Sequence, residues 1–583
     1  MSTVSSLPAL LQKRKNDGGL AQRVKRFGLW QRISWQEHVA KVNALTAYFL
    51  KEGLSKGEKV AILCENRPEW LVSDLAIQSA GGVSVGVYTT SSAKQVKYVA
   101  EHSDAIGLIL ENAEQIEKWL EIREQLPLIR FVIAIEPEGF GEVLAWDDVT
   151  AEGEQLYATN PAGVSQRIAE VASEDTALLM YTSGTTGNPK GVMLSQANLL
   201  WAIDSLSQTL GYNQADEIVS YLPLSHIVER GGSYAHIKTG FVINFVENLD
   251  TFAQNLAEIR PTVLFAVPRI WEKMHSLVEL HMRENHFLKR AVYNAAMQVV
   301  RGRVPNERAS LAAGLADLTV VRWLKHRLGI DRLRLAVSGA APISPQILEY
   351  FRALGVDLRE GYGMTENSGL ASIHQSSFKL GTVGTPFPGV DIKLAEDGEI
   401  LTRSPGTFQG YFKNPDATAA SLTGDWLHTG DIGALDEDGH LSITDRKKDI
   451  IITAGGKNIA PQKIENLVKS SVFINDAVVI GDKRKYLVAL LVLDEDNITT
   501  WARERGLTYT TYTDLATNEE VTKLLDAEVK TVNAQLARVE TIKKFAVLPK
   551  RLYYEDGEVT ATLKVKRSSV AKKYDDLIES LYQ

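Results

Sequence analysis

The chain has a single cysteine in 583 residues, Cys64. An internal disulfide is therefore excluded, and so is a metal cluster built on several thiolates. Cys64 sits in the apolar run VAILC at 60–64, where it reads as a small core residue. No apolar run approaches the ~20 residues that span a bilayer. A secretory leader is missing too: LPALL at 7–11 is short, and Lys13, Arg14 and Lys15 follow it instead of preceding it. Repeats and low-complexity segments are absent. No G-x-G-x-x-G follows a strand-like run, so nothing supports a dinucleotide-binding fold. Acidic residues outnumber basic ones, 72 to 64, for a net charge of −8, which argues against a nucleic-acid partner. These absences point to the reducing cytoplasm. They leave peripheral membrane association and a homodimer open.

What is present is length and alternation. At 583 residues the chain has room for several domains, each with a sizeable core. Ser34 and Glu37 have capping-box spacing, and Val39, Val42, Leu45 and Phe49 then recur at helical intervals. Strand-like runs VAILC (60–64), VSVGVY (83–88), AIGLIL (105–110) and FVIAI (131–135) alternate with helical stretches such as PEWLVSDLAIQSA. That pattern predicts parallel sheets covered by helices, an α/β class. Residues 275–330 read as helical, with a turn near Pro305. From about Gly381, Gly and Pro punctuate short runs, predicting an antiparallel β subdomain. Five consecutive charges, Asp445 to Asp449, then separate two apolar segments. From Lys447 onward there are 22 Lys and Arg against 20 Asp and Glu, a slightly basic end that suits a phosphate-rich partner.

The most informative stretch is YTSGTTGNPKGVMLS at 181–195. Thr182, Ser183, Thr185 and Thr186 surround Gly184 and Gly187, and Lys190 follows. Glycines let backbone approach an anion, hydroxyls and N–H groups donate to phosphate oxygens, and lysine adds a point charge. It is not a Walker A loop, because two residues separate Gly184 from Gly187 and Gly191 follows Lys190. Further segments stand beside it: YLPLSHIVER at 221–230, RPTVLFAVPRIWEK at 260–273, AVSGAAPIS at 336–344, EGYGMTENSG at 360–369, DWLHTGDIG at 425–433, DRKKDIIITAGGKNIAPQKIE at 445–465 and TATLKVKR at 560–567. Together they resemble the acyl-adenylate-forming enzymes, which include acyl-CoA synthetases, peptide-synthetase adenylation domains and beetle luciferases. The likeness is greatest to the long-chain fatty acyl-CoA synthetase branch.

The resemblance implies a large N-terminal domain, 1–446, of parallel sheets covered by helices plus a β subdomain. A small mobile α+β domain, 447–583, would pivot near Lys448. It implies attack of a fatty acid carboxylate on ATP to give acyl-AMP and pyrophosphate, then transfer to CoA. Thr182, Ser183, Gly184, Thr185, Thr186, Gly187 and Lys190 would hold the β- and γ-phosphates, Glu366 Mg2+, and Thr365 the α-phosphate. Tyr362 would stack on adenine, with Gly339 and Ala340 leaving room for the base. Asp431 would accept from the ribose hydroxyls, and Arg446 would contact ribose or phosphate. His226, which could also be a core histidine, would lie beside the reacting carboxylate. Lys564 would bridge carboxylate and α-phosphate. Gly455, Gly456 and Lys457 would help form the CoA entry face. An aryl or medium-chain acid CoA ligase, or an acyl-AMP ligase loading a separate carrier protein, would share this chemistry.

Overall fold

The computed structural model describes residues 4–182, 188–301, 305, 310–454, 457–553, 556–560 and 565–583, without the side chains of 283 and 284. Its organising element is an eight-stranded sheet. In spatial order the strands are Gly410–Tyr411, Lys190–Ser195, Thr176–Thr182, Val83–Val87, Lys59–Leu63, Ala105–Leu110, Phe131–Ala134 and Leu144–Ala145. Thr176–Thr182 and the five strands that follow it in that order pair in parallel, and the first two pair antiparallel. Parallel strands are buried on both faces, which is why they read as unbroken apolar runs in the sequence. Cys64, just past the strand Lys59–Leu63, is buried as expected.

The helix Trp35–Lys51 starts at the predicted capping box, Ser34 and Glu37 bonding reciprocally. With Pro68–Ser79 it covers one face of the sheet. A second sheet runs Val263–Ala266, Leu335–Ser338 and Leu358–Tyr362 in parallel, then turns antiparallel through Ser372–Ile373 and Thr385–Pro386. Between its first two strands comes the predicted helical region, Pro268–Glu284, Phe287–Val300, Leu311–Ala316 and Arg322–Arg327. The expected β subdomain is an antiparallel sheet of Asp391–Leu394, Glu399–Arg403, Trp426–Leu435 and Leu422–Thr423, with Leu441–Arg446 paired to Trp426–Leu435.

Beyond it, Ile474–Ile480, Leu487–Leu493 and Ile542–Val547 form a small mixed sheet. Leu487–Leu493 is buried at every position. Two apolar clusters flank it, one on Ile464, Leu491 and Leu525, the other on Val492, Leu548 and Ile578. Every residue of both clusters lies after 450, so this C-terminal part buries a core of its own.

Candidate active site

Three sheet ends converge on the candidate site. Thr182 ends one strand of an antiparallel hairpin and Lys190 begins the other, the two standing opposite one another. Of the loop between them, Ser183, Gly184, Thr185, Thr186 and Gly187 lie outside the described residues, as do Gly455, Gly456 and Lys564. The short strand Gly410–Tyr411 pairs on the far side of Lys190–Ser195, Tyr411 opposite Val192. Lys190 Nζ therefore stands 4.7 Å from the centre of the Tyr411 ring, a cation over an aromatic face.

Tyr411 then reaches Glu366, donating its hydroxyl to Oε1 at 2.7 Å. Glu366 lies in a single 3-10 turn, Thr365–Asn367, with Thr365 and Glu366 both buried. The turn is fastened by Asn367 Oδ1 accepting from Met364 N at 2.8 Å and by Glu366 O accepting from Phe408 N at 2.8 Å. Burial raises the Glu366 carboxyl above its ordinary range, while the Tyr411 hydroxyl and the charges of Arg446 and Lys190 pull it back down. Gly363 precedes the turn because nothing larger fits: a Cβ there would sit 2.1 Å from the Gly369 carbonyl oxygen. Gly363→Ala is expected to destabilise the protein by about 3 kcal/mol, read as a lowered melting temperature.

A second group forms where the sheet ending in Tyr362 meets the β subdomain. Tyr362 donates its hydroxyl to Asp431 Oδ2 at 2.6 Å. Asp431 Oδ1 faces Arg446 Nε at 3.2 Å, the two residues standing opposite each other across their strands. Burial and the Asp431 charge keep the Tyr362 phenol neutral. Asp431 thus has one partner on each oxygen and still offers lone pairs to a diol, since a carboxylate has about four acceptor sites. Ala340 follows the strand Leu335–Ser338 with φ +67°, a left-handed conformation that alanine adopts only where surroundings impose it. Its neighbour Gly339 is hemmed in, a Cβ there meeting Phe265 at 3.1 Å and Gly361 O at 3.2 Å.

His226 is the N-cap of the helix Ile227–Thr239, its Nδ1 accepting from Val228 N at 3.3 Å. Ile227 packs where the Gly369 backbone passes, so this helix start borders the Glu366 segment. Lys448 is exposed in a turn in which Arg446 O accepts from Asp449 N. Lys457 is also exposed, its N–H donating to Thr453 Oγ1 at 3.2 Å.

Two features escaped sequence reading. One is Tyr411 itself. The other is a buried polar group next to His226: Arg230, wholly buried, donates from Nε to Leu224 O at 2.9 Å, stacks 4.3 Å over Trp70 and faces Asp74 at 3.8 Å. Asp74 in turn accepts from Tyr234 at 2.5 Å. Burial pushes neighbouring Glu229 up to about 8. The i, i+4 spacing of Arg230 and Tyr234 was the available signal, but Asp74 lies 156 residues away.

Residues 14–412 match the AMP-binding enzyme family, and 448–583 match the AMP-binding enzyme C-terminal domain. Long-chain-fatty-acid–CoA ligase FadD15 of Mycobacterium bovis is 35% identical over 568 residues, 95% of this chain and 93% of that protein. Long-chain-fatty-acid–CoA ligase ACSBG2 of Xenopus laevis is 33% identical over 633 residues, 100% of this chain and 85% of that one. Among solved structures, an anthranilate CoA ligase, AuaEII, in complex with anthranoyl-AMP superposes with a TM-score of 0.75 at 19% identity, covering 99% of both chains. The A domain of a carboxylic acid reductase from Segniliparus rugosus gives 0.75 at 21%, covering 99% of this chain and 94% of that one. At such identities these two establish the fold.

Proposed function

The chain belongs to the AMP-binding enzyme family, and we propose that it activates a long-chain fatty acid with ATP and passes the acyl group to CoA. The acid's carboxylate attacks the α-phosphorus, pyrophosphate leaves, and the CoA thiol then attacks the acyl carbon and expels AMP. The observation that carries the chemistry is the convergence of Lys190 and Arg446 on Glu366, whose carboxyl feels both charges, next to the Tyr362–Asp431 pair. The first step brings an anion to a polyanion, so cations and oriented donors are what it needs. Lys190 is assigned to phosphate, Asp431 to the ribose hydroxyls, Tyr362 and Ala340 to adenine, and Thr365 to the α-phosphate. The identity of the acid rests on the relatives, which are long-chain-fatty-acid–CoA ligases at 33–35% over most of the chain. The aryl-acid neighbour shares the fold alone.

Glu366 is the residue assigned to Mg2+. Among the described residues no group of three or more acidic, His or Cys side chains could hold a metal. One buried carboxylate fits an ion that takes one or two protein oxygens and completes its shell with water and substrate phosphates. When bound, the ion neutralises phosphate charge.

A protonated Glu366 cannot serve this role. Because burial raises its pKa, the acidic limb of the adenylation pH profile should lie above that of an exposed glutamate. Tyr411→Phe removes a bond that favours the ionised form, so the limb should move higher still. Pyrophosphate release followed from acid to neutral pH reads this, and an unmoved or lowered limb contradicts the role.

The substrate is tested with a panel of carboxylic acids, with and without CoA. Each buried methylene contributes about 0.8 kcal/mol until the pocket is full. Efficiency should therefore climb with chain length to roughly twelve carbons or more, then level. A benzoate or cinnamate that outperforms every fatty acid overturns the assignment. Acyl transfer to a carrier protein but not to CoA overturns the acceptor.

A further inference from the structure

The helical region 268–327 carries an exposed apolar surface and holds none of the site residues assigned above. Among the described residues, eighteen large hydrophobic side chains stand exposed, and nine of them fall between Leu277 and Trp323. They are ordered. On the helix Phe287–Val300, one face buries Tyr293, Ala296 and Val300. A second face, Leu288, Val292, Ala295 and Val299, recurs at i, i+4, i+7 and i+11 and is turned to solvent. That helix packs on the helix Leu311–Ala316 and the wide turn Asp317–Val321 after it. There Leu311, Leu315 and Leu318 repeat the spacing, 96%, 65% and 68% exposed. Trp323 follows, half exposed. Isolated exposed leucines need no explanation, but two packed helices each bearing an outward apolar stripe mark a contact surface.

The charge around these stripes selects the partner. In sequence, 285–330 holds eight Lys and Arg against two Asp and Glu, a net of +6 in a chain whose total is −8. The rest of the protein is thus strongly acidic while this region is basic. Apolar stripes of leucine with a tryptophan, on segments whose exposed basic side chains include Lys289, Arg290, Arg322 and Arg327, form the pattern of a helix lying in a lipid interface. No helix among the described residues is long and apolar enough to cross a membrane, so the contact would be superficial.

We propose that this face docks on the surface of an anionic phospholipid bilayer, leucines and tryptophan entering between headgroups and the basic side chains meeting lipid phosphates. The inference is independent of which acid the enzyme activates.

The test uses the full chain and sedimented vesicles of phosphatidylcholine alone or with about a third phosphatidylglycerol. Binding should be at least tenfold stronger to the anionic vesicles and should weaken as salt rises. Each basic side chain at such a surface strengthens binding roughly fivefold, so Lys289→Gln/Arg290→Gln/Arg322→Gln should lose about a hundredfold at low salt. Leu311→Ser/Leu315→Ser/Leu318→Ser should lose at least tenfold, with no loss of melting temperature because those side chains are already exposed. Pyrophosphate release with a water-soluble acid reports folding in both variants and should be unchanged. Absence of wild-type binding, equal binding to neutral vesicles, or variants that bind like wild type overturns the proposal. So does an apolar variant that turns a dimer into a monomer while vesicle binding persists, which would assign the face to a second copy of the chain.

Discussion

Replacing Lys564 with alanine is expected to slow acyl-adenylate formation by about 10²–10³, the cost of removing a positioned charge from a water-poor site, ~3–4 kcal/mol. The same variant should convert supplied acyl-AMP and CoA to thioester at close to the wild-type rate. The asymmetry follows from where charge builds up. In the first half-reaction a carboxylate and an α-phosphate must approach, and an ammonium between them offsets the repulsion. In the second the adenylate already exists, and a neutral thioester forms as AMP leaves. Lys564 is assigned this role by its place in TATLKVKR, with Lys566 as the demanding neighbour. The flanks are tied down, Val559 bridging Val565 and Lys566 N donating to Glu558 O at 2.8 Å. Lys566→Ala keeps that backbone bond and removes only a charge, so its adenylation should fall much less. Both half-reactions need to be timed in both variants. Intact adenylation without Lys564, or a larger defect without Lys566, would refute the assignment.

Much of the fold was legible because its strands are buried on both faces. VAILC, AIGLIL and FVIAI could be read as strands without alternation, and Ser34 with Glu37 marked a helix start before any contact was known. What could not be read was how distant segments meet. Asp431 faces Arg446 only because two antiparallel strands pair in one register, with a shift between Ile432 and Gly433. Tyr362 reaches the same carboxylate from another sheet, 69 residues away. Tyr411 lies in a Gly-rich stretch with no polar motif of its own, and its hydroxyl matters only because a two-residue strand carries it to Glu366. Arg230 and Asp74 are each the kind of residue that usually faces water. Their pairing in the interior depends on a helix from each of two segments far apart in the chain. Ala340 occupies a left-handed position where a sequence reader would look for glycine. These are products of tertiary register, and residue spacing does not encode them directly.

Lys448→Pro should uncouple the two half-reactions, leaving one near the wild-type rate and depressing the other by at least tenfold. We propose that 1–446 and 447–583 are the two bodies that alternate, pivoting at this residue. The surroundings fit a pivot because the residue before it is held to the β subdomain. Asp445, buried, accepts from Arg446 N at 2.6 Å; its bond from Gln462 N at 3.0 Å links the two bodies in this arrangement and must break when they rotate. Lys447 pairs with Asp397 at 2.5 Å and Glu399 at 3.0 Å. Lys448 itself is exposed, with the chain reversing around it. Rotation of one body against another requires large φ and ψ changes at one or two residues, and an exposed turn permits them at low cost. Proline fixes φ near −65° and also disfavours the α region for Lys447, so only arrangements compatible with those angles survive. Lys448→Ala is the control: it removes the side chain and leaves both dihedrals free, so both half-reactions should persist. Matching melting curves for the two variants would show that the proline acts on motion and not on folding. Equal loss of both steps in a folded Lys448→Pro protein, or loss of neither, would place the pivot elsewhere in the chain.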